Sequence, residues 1–183
     1  YGNCIGIPNI GGEIYFSDTY EGNPLVNAMC VGIIQNNKIM SAKADKSGDL
    51  LVLVGSDTGR DGIHGASGLA SKTFQEQDEL RSTVQVGNPF LEKILIESCL
   101  EAIKLDEVVG LQDCGAAGIT SAAIEMADRS KLGLKIDVSK IPQRESEMNA
   151  YELMLSESQE RMLLAVKSNG YNKIKDIFEK WDI

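Results

Sequence analysis

The run Val108-Val109-Gly110-Leu111-Gln112-Asp113-Cys114-Gly115-Ala116-Ala117-Gly118-Ile119 constrains this chain more than any other segment. Its apolar opening reads as a short buried strand, the small residues that follow as a turn, and Gly118-Ile119 as the start of a helix. The turn carries one carboxylate, Asp113, among residues too small to obstruct the approach of a phosphate or its metal. Such an Asp is a hard oxygen ligand of the kind Mg2+ takes one or two of, with substrate phosphates supplying more. The same pattern also serves as an ordinary helix start, so its meaning depends on the rest of the chain.

Strand and helix signals alternate along the sequence, which argues an α/β fold. Residues 25–34, rich in Val, Ile and Met, read as a strand that returns through 35–38 to Ile39-Met40 as a hairpin. The polar stretch 43–49 separates this from Leu50-Leu51-Val52-Leu53-Val54, a run suited to the interior of a sheet. Asn88 as cap, Pro89 in the first turn, and the apolar positions Phe90, Leu91, Ile94, Leu95, Cys99, Ala102 and Ile103 predict an amphipathic helix. Beyond it the pattern predicts a strand over 108–111, a helix over 119–130, a strand over 132–138, a short helix near 149–155, a strand over 161–166 and a helix over 173–181. Asn149 with Glu152 three residues on is a capping-box start. The strands 50–54, 108–111, 132–138 and 161–166 are expected in one sheet, with helices 89–104 and 119–130 packed against it.

A chain of 183 residues with 43% apolar and 25% charged content can bury one domain core, or one core plus part of another. The net charge of −9 and the lack of any Lys/Arg cluster argue against nucleic acid and anionic membrane surfaces as partners. No apolar run approaches the length of a membrane span. Cys4, Cys30, Cys99 and Cys114 are scattered without a CxxC pair, which argues against a zinc site and for reduced thiols in a cytoplasmic protein. The chain opens at Tyr1 within a Gly-rich stretch, as an internal fragment of a longer polypeptide would. On that reading the apolar residues of 1–44 lack a complete core of their own.

Four further constellations carry candidate chemistry. Residues 55–66, with several glycines, Asp57 and Asp61 around Arg60, and His64, suit either a phosphate cradle or a loop tied internally by an Arg60 ion pair. They are not a P-loop, because the Lys-Ser/Thr pair is absent. Gln85, three residues before the Asn88 cap, reads locally as a surface amide that could reach a ligand at the helix start. Ser156-Glu157-Ser158-Gln159-Glu160 reads as a solvated turn or as polar groups for a hydroxyl-rich phosphorylated ligand. Gly2-Asn3-Cys4-Ile5-Gly6 mimics the nucleophile elbow of cysteine amidotransferases, but lacks a preceding strand and an evident His partner.

Several of these segments occur together in one family. Gly2-Asn3-Cys4-Ile5-Gly6-Ile7-Pro8, Gly11-Gly12-Glu13, Tyr20-Glu21-Gly22-Asn23-Pro24-Leu25-Val26-Asn27-Ala28, Gly59-Arg60-Asp61-Gly62-Ile63-His64-Gly65-Ala66, Gln85-Val86-Gly87-Asn88-Pro89-Phe90, Gln112-Asp113-Cys114-Gly115-Ala116-Ala117-Gly118 and Leu155-Ser156-Glu157-Ser158-Gln159-Glu160-Arg161-Met162 closely resemble the phosphoribosylformylglycinamidine synthase family, large synthetase subunit. The resemblance implies a mixed sheet with helices packed on it, like the C-terminal domain of the aminoimidazole ribonucleotide synthetase superfamily. It implies that 1–44 is the C-terminal part of a leading domain and that 45–183 is the α/β domain after it.

The implied activity is ATP-dependent conversion of formylglycinamide ribonucleotide to its amidine in purine biosynthesis, with Mg2+. A glutaminase supplies the ammonia, and a small accessory subunit completes the complex. Carried over by position, Asp113 resembles the family's Mg2+ ligand, and Gln85, Glu157, Ser158 and Gln159 its substrate-binding residues. The catalytic histidines of the family fall outside this sequence, so no catalytic residue is assigned, and the chain alone is expected to turn nothing over. A non-catalytic nucleotide-binding or assembly module of the selenophosphate synthetase or hydrogenase maturation type is the alternative, because one architecture serves them all.

Overall fold

The computed structural model describes residues 1–22, 24–63 and 85–183. It divides into two compact units, Tyr1–Ile39 and Met40–Ile183.

The second unit is built on three strands, β1 (Leu50–Gly55), β2 (Val108–Asp113) and β3 (Arg161–Val166), in the order β1-β3-β2. Both pairings are antiparallel. The only parallel element among the described residues is an isolated bridge between Thr58 and Gln143, where the family resemblance implies a mixed sheet. The central strand β3 is buried on both faces, so beyond Arg161 it is apolar at every position, and its side chains alternate between two cores. Leu163 and Ala165 enter one core with Leu51 and Leu53; Leu164 and Val166 enter the other with Val52 and Val54.

Helices close each face. Ile119, Ala122, Ala123 and Met126 of α2 (Gly118–Ser130) and Leu153 of α3 (Ala150–Leu155) cover the first core. Leu95, Cys99 and Ala102 of α1 (Pro89–Ala102) and Ile174 and Phe178 of α4 (Tyr171–Lys180) cover the second. The result is a helix–sheet–helix sandwich. The expected α1 start is present: the Asn88 side chain accepts from Leu91 N at 3.2 Å and Pro89 opens the first turn. The capping box of α3 is also formed, with Asn149 accepting from Glu152 N and Glu152 accepting from Asn149 N.

Two expected strands are not formed. Residues 132–137 have no ladder partner, and 138–140 are a single 3-10 turn. Ile136 and Val138 still pack against the first core. The alternation that suggested a strand therefore reports one-sided burial, while pairing needs a free sheet edge. At β2 that edge is taken: Leu111 N donates to Ser41 O at 3.3 Å, and a side chain at Gly110 would run into the Lys43 backbone. In the first unit the 25–40 hairpin is likewise absent, and Asn36–Lys38 is a 3-10 turn. Ile14, Tyr15, Phe16, Leu25, Val26, Met29 and Val31 are all exposed there. A two-stranded ribbon without a core beneath it is marginal in water. Met40 and Ala42 pack with the second unit, and the polar stretch 43–49 follows them.

Candidate functional site

Strand register brings one end of the sheet together. Gly55 ends β1 opposite Arg161, and Asp113 ends β2 opposite Met162, so the exits of β1 and β2 flank the entry to β3. The turn 156–160 leads into that entry, and nearly every polar group in it is engaged. Ser156, Glu157, Ser158 and Glu160 are all buried.

Glu157, 3% exposed, joins two neighbouring segments. One carboxylate oxygen accepts from Gln85 Nε2 at 2.8 Å, and the other accepts from Ala117 N at 3.0 Å. Gln85 approaches from the extended lead-in to α1, and Ala117 lies in the turn that follows Asp113. Gly62, at φ +62, lies beneath this junction; a side chain there would collide with those of Glu157 and Gln85. Gly118, at φ +54, lies closer still to its neighbour, the Ser156 carbonyl. Gln159 is half-buried and donates from Nε2 to Glu157 O at 2.9 Å. Asn88 N donates to Glu160 Oε1 at 2.9 Å, which fixes the start of α1 to the same turn.

Asp113 is exposed at the end of β2, and its carboxylate takes no hydrogen bond or ion pair among the described residues. Gly115 leaves room for it: a Cβ there would stand 3.0 Å from Asp113 Oδ2. Among the described residues no group of three or more His, Cys, Asp or Glu side chains gathers as a metal cage. A lone carboxylate on small-residue backbone suits Mg2+, which keeps several waters and takes ligand phosphates. A cleft of about 470 Å³ opens beside Asp113, lined by Leu111, Gln112, Glu125, Arg129 and Met162 with Met40 and Ala42. Gln85 and the 157–159 turn do not line it; they connect to Asp113 through Ala117.

Beneath the turn lies a polar layer that the sequence pattern does not announce. Arg161, buried at 3% exposure, donates to Ser158 O at 2.9 Å, Thr58 Oγ1 at 2.9 Å and Ser156 O at 2.5 Å. Its pKa is lowered by burial. Ser158 donates its hydroxyl to Asp61, and Arg144 donates to both Asp61 oxygens, at 2.9 and 2.7 Å. Ser156 donates to Gly59 O at 2.6 Å. These bonds satisfy groups that would otherwise be buried without partners. Arg60 pairs outside its own loop, with Glu152 at 2.9 Å and Glu145 at 3.2 Å, and Asp61 pairs with Arg144, so the expected tie within residues 55–66 is not what the structure shows. Arg161 is not singled out by the sequence pattern, and Asp61 and Ser156 appear there only as members of polar loops, without the structural roles they take here. The only signal for them is that GRDG and SESQER are polar on either side of apolar strands.

His64 lies outside the described residues. Cys4 is exposed in a turn, with neither a helix after it nor a His partner among the described residues. Cys99 and Cys114 are buried, and burial pushes their thiol pKa values up to about 12 and about 11. Neither is disposed to act as a nucleophile.

A three-layer α/β domain with a cluster of polar groups gathered at one end of the sheet is the class of protein defined here. Residues 46–183 match the family model for "AIR synthase related protein, C-terminal domain", and the chain belongs to that family. Over all 183 residues it is 53% identical to phosphoribosylformylglycinamidine synthase subunit PurL of Caldanaerobacter subterraneus and 52% identical to that of Carboxydothermus hydrogenoformans. It covers 25% of each, so the chain spans about a quarter of the length of these relatives. Among solved structures, Thermotoga maritima PurL complexed with FGAR superimposes with a TM-score of 0.92 at 39% identity, over 98% of this chain and 30% of that one. Escherichia coli HypE, a hydrogenase maturation protein, superimposes with a TM-score of 0.51 at 21% identity, over 77% of this chain and 42% of that one, and shows the shared fold alone. No helix among the described residues is long and apolar enough to cross a membrane.

Proposed function

We propose that this chain is a substrate- and metal-binding part of an ATP-dependent synthetase that converts formylglycinamide ribonucleotide and ammonia to formylglycinamidine ribonucleotide. The observation that carries the reading is identity of 53% sustained over every residue of the chain to a PurL subunit. Solved structures of PurL with FGAR and with ATP, and of PurLQS, support the same substrates and a multi-subunit synthase, whose proposed ammonia source is a glutaminase subunit. The hydrogenase-maturation alternative draws only on fold likeness, and the proposed domain boundary near residue 45 is supported by a family match that starts at 46.

Little covalent chemistry is asked of this part. Phosphoryl transfer to an amide oxygen depends mainly on positioning and on charge neutralisation. Asp113 is the proposed ligand for Mg2+, which would neutralise phosphate charge when bound. Gln85 and Gln159 are the side chains of the proposed substrate set with exposed surface; Glu157 and Ser158 form the floor beneath them. That floor is held by Asp61 and Arg161 and has little freedom to shift. The test is made on the complete synthetase that contains this chain, supplied with ammonium, ATP and formylglycinamide ribonucleotide. ADP release that depends on both the ribonucleotide and ammonium is expected; ADP release indifferent to the ribonucleotide would overturn the reading.

A further inference from the structure

A carboxylate without its proton accepts hydrogen bonds and donates none. Glu157 sits 2.8 Å from Gln85 Nε2, so the Gln85 amide must turn its nitrogen toward Glu157, and its oxygen faces the other way. The second Glu157 oxygen is held by Ala117 N at 3.0 Å, a backbone group that cannot rotate to release it. Glu157 is 3% exposed, whereas Gln85 is exposed. The buried carboxylate therefore has both oxygens in use, and the exposed amide keeps an oxygen with no partner among the described residues.

We infer that Glu157 is a positioning residue for Gln85: by holding the amide nitrogen it presents the amide oxygen outward, which makes Gln85 an acceptor that selects a ligand N–H or O–H donor. Glu157 bears on that contact through Gln85, from within the floor of the proposed site. The inference rests on the proposal that Gln85 contacts the substrate, and it adds the sense of that contact. An amide or hydroxyl hydrogen on the ribonucleotide is the matching group; a phosphate oxygen is not.

The arrangement makes an unusual demand on substitutions. In Glu157→Gln the one remaining acceptor stays with Ala117 N, and the new NH2 group faces Gln85. The Gln85 amide must then reverse and present a donor to the ligand. Gln85→Glu alone sets two carboxylates against each other. In the double variant, which carries Gln85→Glu together with Glu157→Gln, the carboxylate now at position 85 accepts from the NH2 group now at position 157. Its other oxygen is presented outward, so the original acceptor is restored.

The experiment measures kcat and KM for the ribonucleotide in the complete synthetase carrying Gln85→Ala, Gln85→Glu, Glu157→Gln and the exchanged pair, with thermal midpoints recorded for each. Gln85→Ala and each single exchange should raise KM by about 3- to 10-fold with kcat little changed, as expected for one neutral hydrogen bond. The exchanged pair should return KM to within about threefold of the parent. If Gln85→Ala leaves KM unchanged, Gln85 does not contact the substrate and the underlying reading fails. If Gln85→Ala raises KM but Glu157→Gln does not, or if the two exchanges multiply in the pair, Glu157 does not act through Gln85 and the inference is wrong.

Discussion

Arg144 Nη2 reaches both carboxylate oxygens of Asp61, at 2.9 and 2.7 Å, across 83 residues of sequence. Asp61 is buried, also accepts from the Ser158 hydroxyl, and its carbonyl accepts from Glu157 N at 2.7 Å. One residue of the loop after β1 thus fixes the turn that enters β3. Asp61→Ala is expected to destabilise the fold by about 1–3 kcal/mol, because the buried Ser158 hydroxyl loses its charged acceptor and is left with the Ser156 hydroxyl and the distant Gly59 carbonyl, while the half-exposed Arg144 turns to water at little cost. Denaturant unfolding that shows no change would remove Asp61 from this role.

The α1 seam gives an internal comparison. Leu95 is 3% exposed in the second core, while its neighbour Ile94 is only half-buried. Leu95→Ala should cost about 2–5 kcal/mol and Ile94→Ala clearly less. Equal losses in the unfolding midpoint would contradict the helix orientation described here.

Acid should loosen the 145–155 region in a defined direction. The Glu152 carboxyl is held below its usual pKa of 4.5, first by the Arg60 hydrogen bond and then by the Asn149 backbone N–H. A carboxyl depressed in the folded state contributes stability that is present above its unfolded pKa and is lost as the pH falls through the lower folded value. The thermal midpoint of the parent should therefore fall more steeply than that of Glu152→Gln below about pH 4.5, measured down to about pH 3. Parallel curves would show that the capping carboxylate does not titrate with folding.

Thiol reactivity separates the cysteines. Cys99 and Cys114 are buried with raised pKa values, whereas Cys4 and Cys30 are exposed. A thiolate-directed alkylator at about pH 8 should label Cys4 and Cys30 in the native protein and reach the other two only on unfolding. Mass mapping that finds Cys114 labelled in the native protein would mean that the β2 turn opens.

Much of this fold is written in local pattern. The Asn88-Pro89 start of α1, the Asn149/Glu152 capping box and the apolar runs of β1 and β3 each state their structure within a few residues, and each is formed. Residues 132–138 misled because alternation records which side is buried and carries no information on whether a neighbouring edge is free. That depends on residues 41–43, some ninety positions away, lying along β2. The candidate site divides in the same way. Asp113 stands out by its turn, Gln85 reads locally as a surface amide and is singled out only by the family resemblance, and the roles of Asp61, Ser156 and Arg161 arise only when three loops meet. Glu157 and Ser158 read as a solvated turn because their type is polar; their burial is a tertiary fact.

The proposed role of Asp113 is to supply charge for a metal, and the fold does not depend on it. Asp113→Asn keeps the size of the side chain at an exposed position without an internal partner among the described residues. In the complete synthetase, ammonia-dependent turnover should fall by on the order of a hundredfold or more, with the thermal midpoint unchanged. Turnover within about twofold of the parent, or a loss of activity matched by a loss of stability, would contradict the assignment.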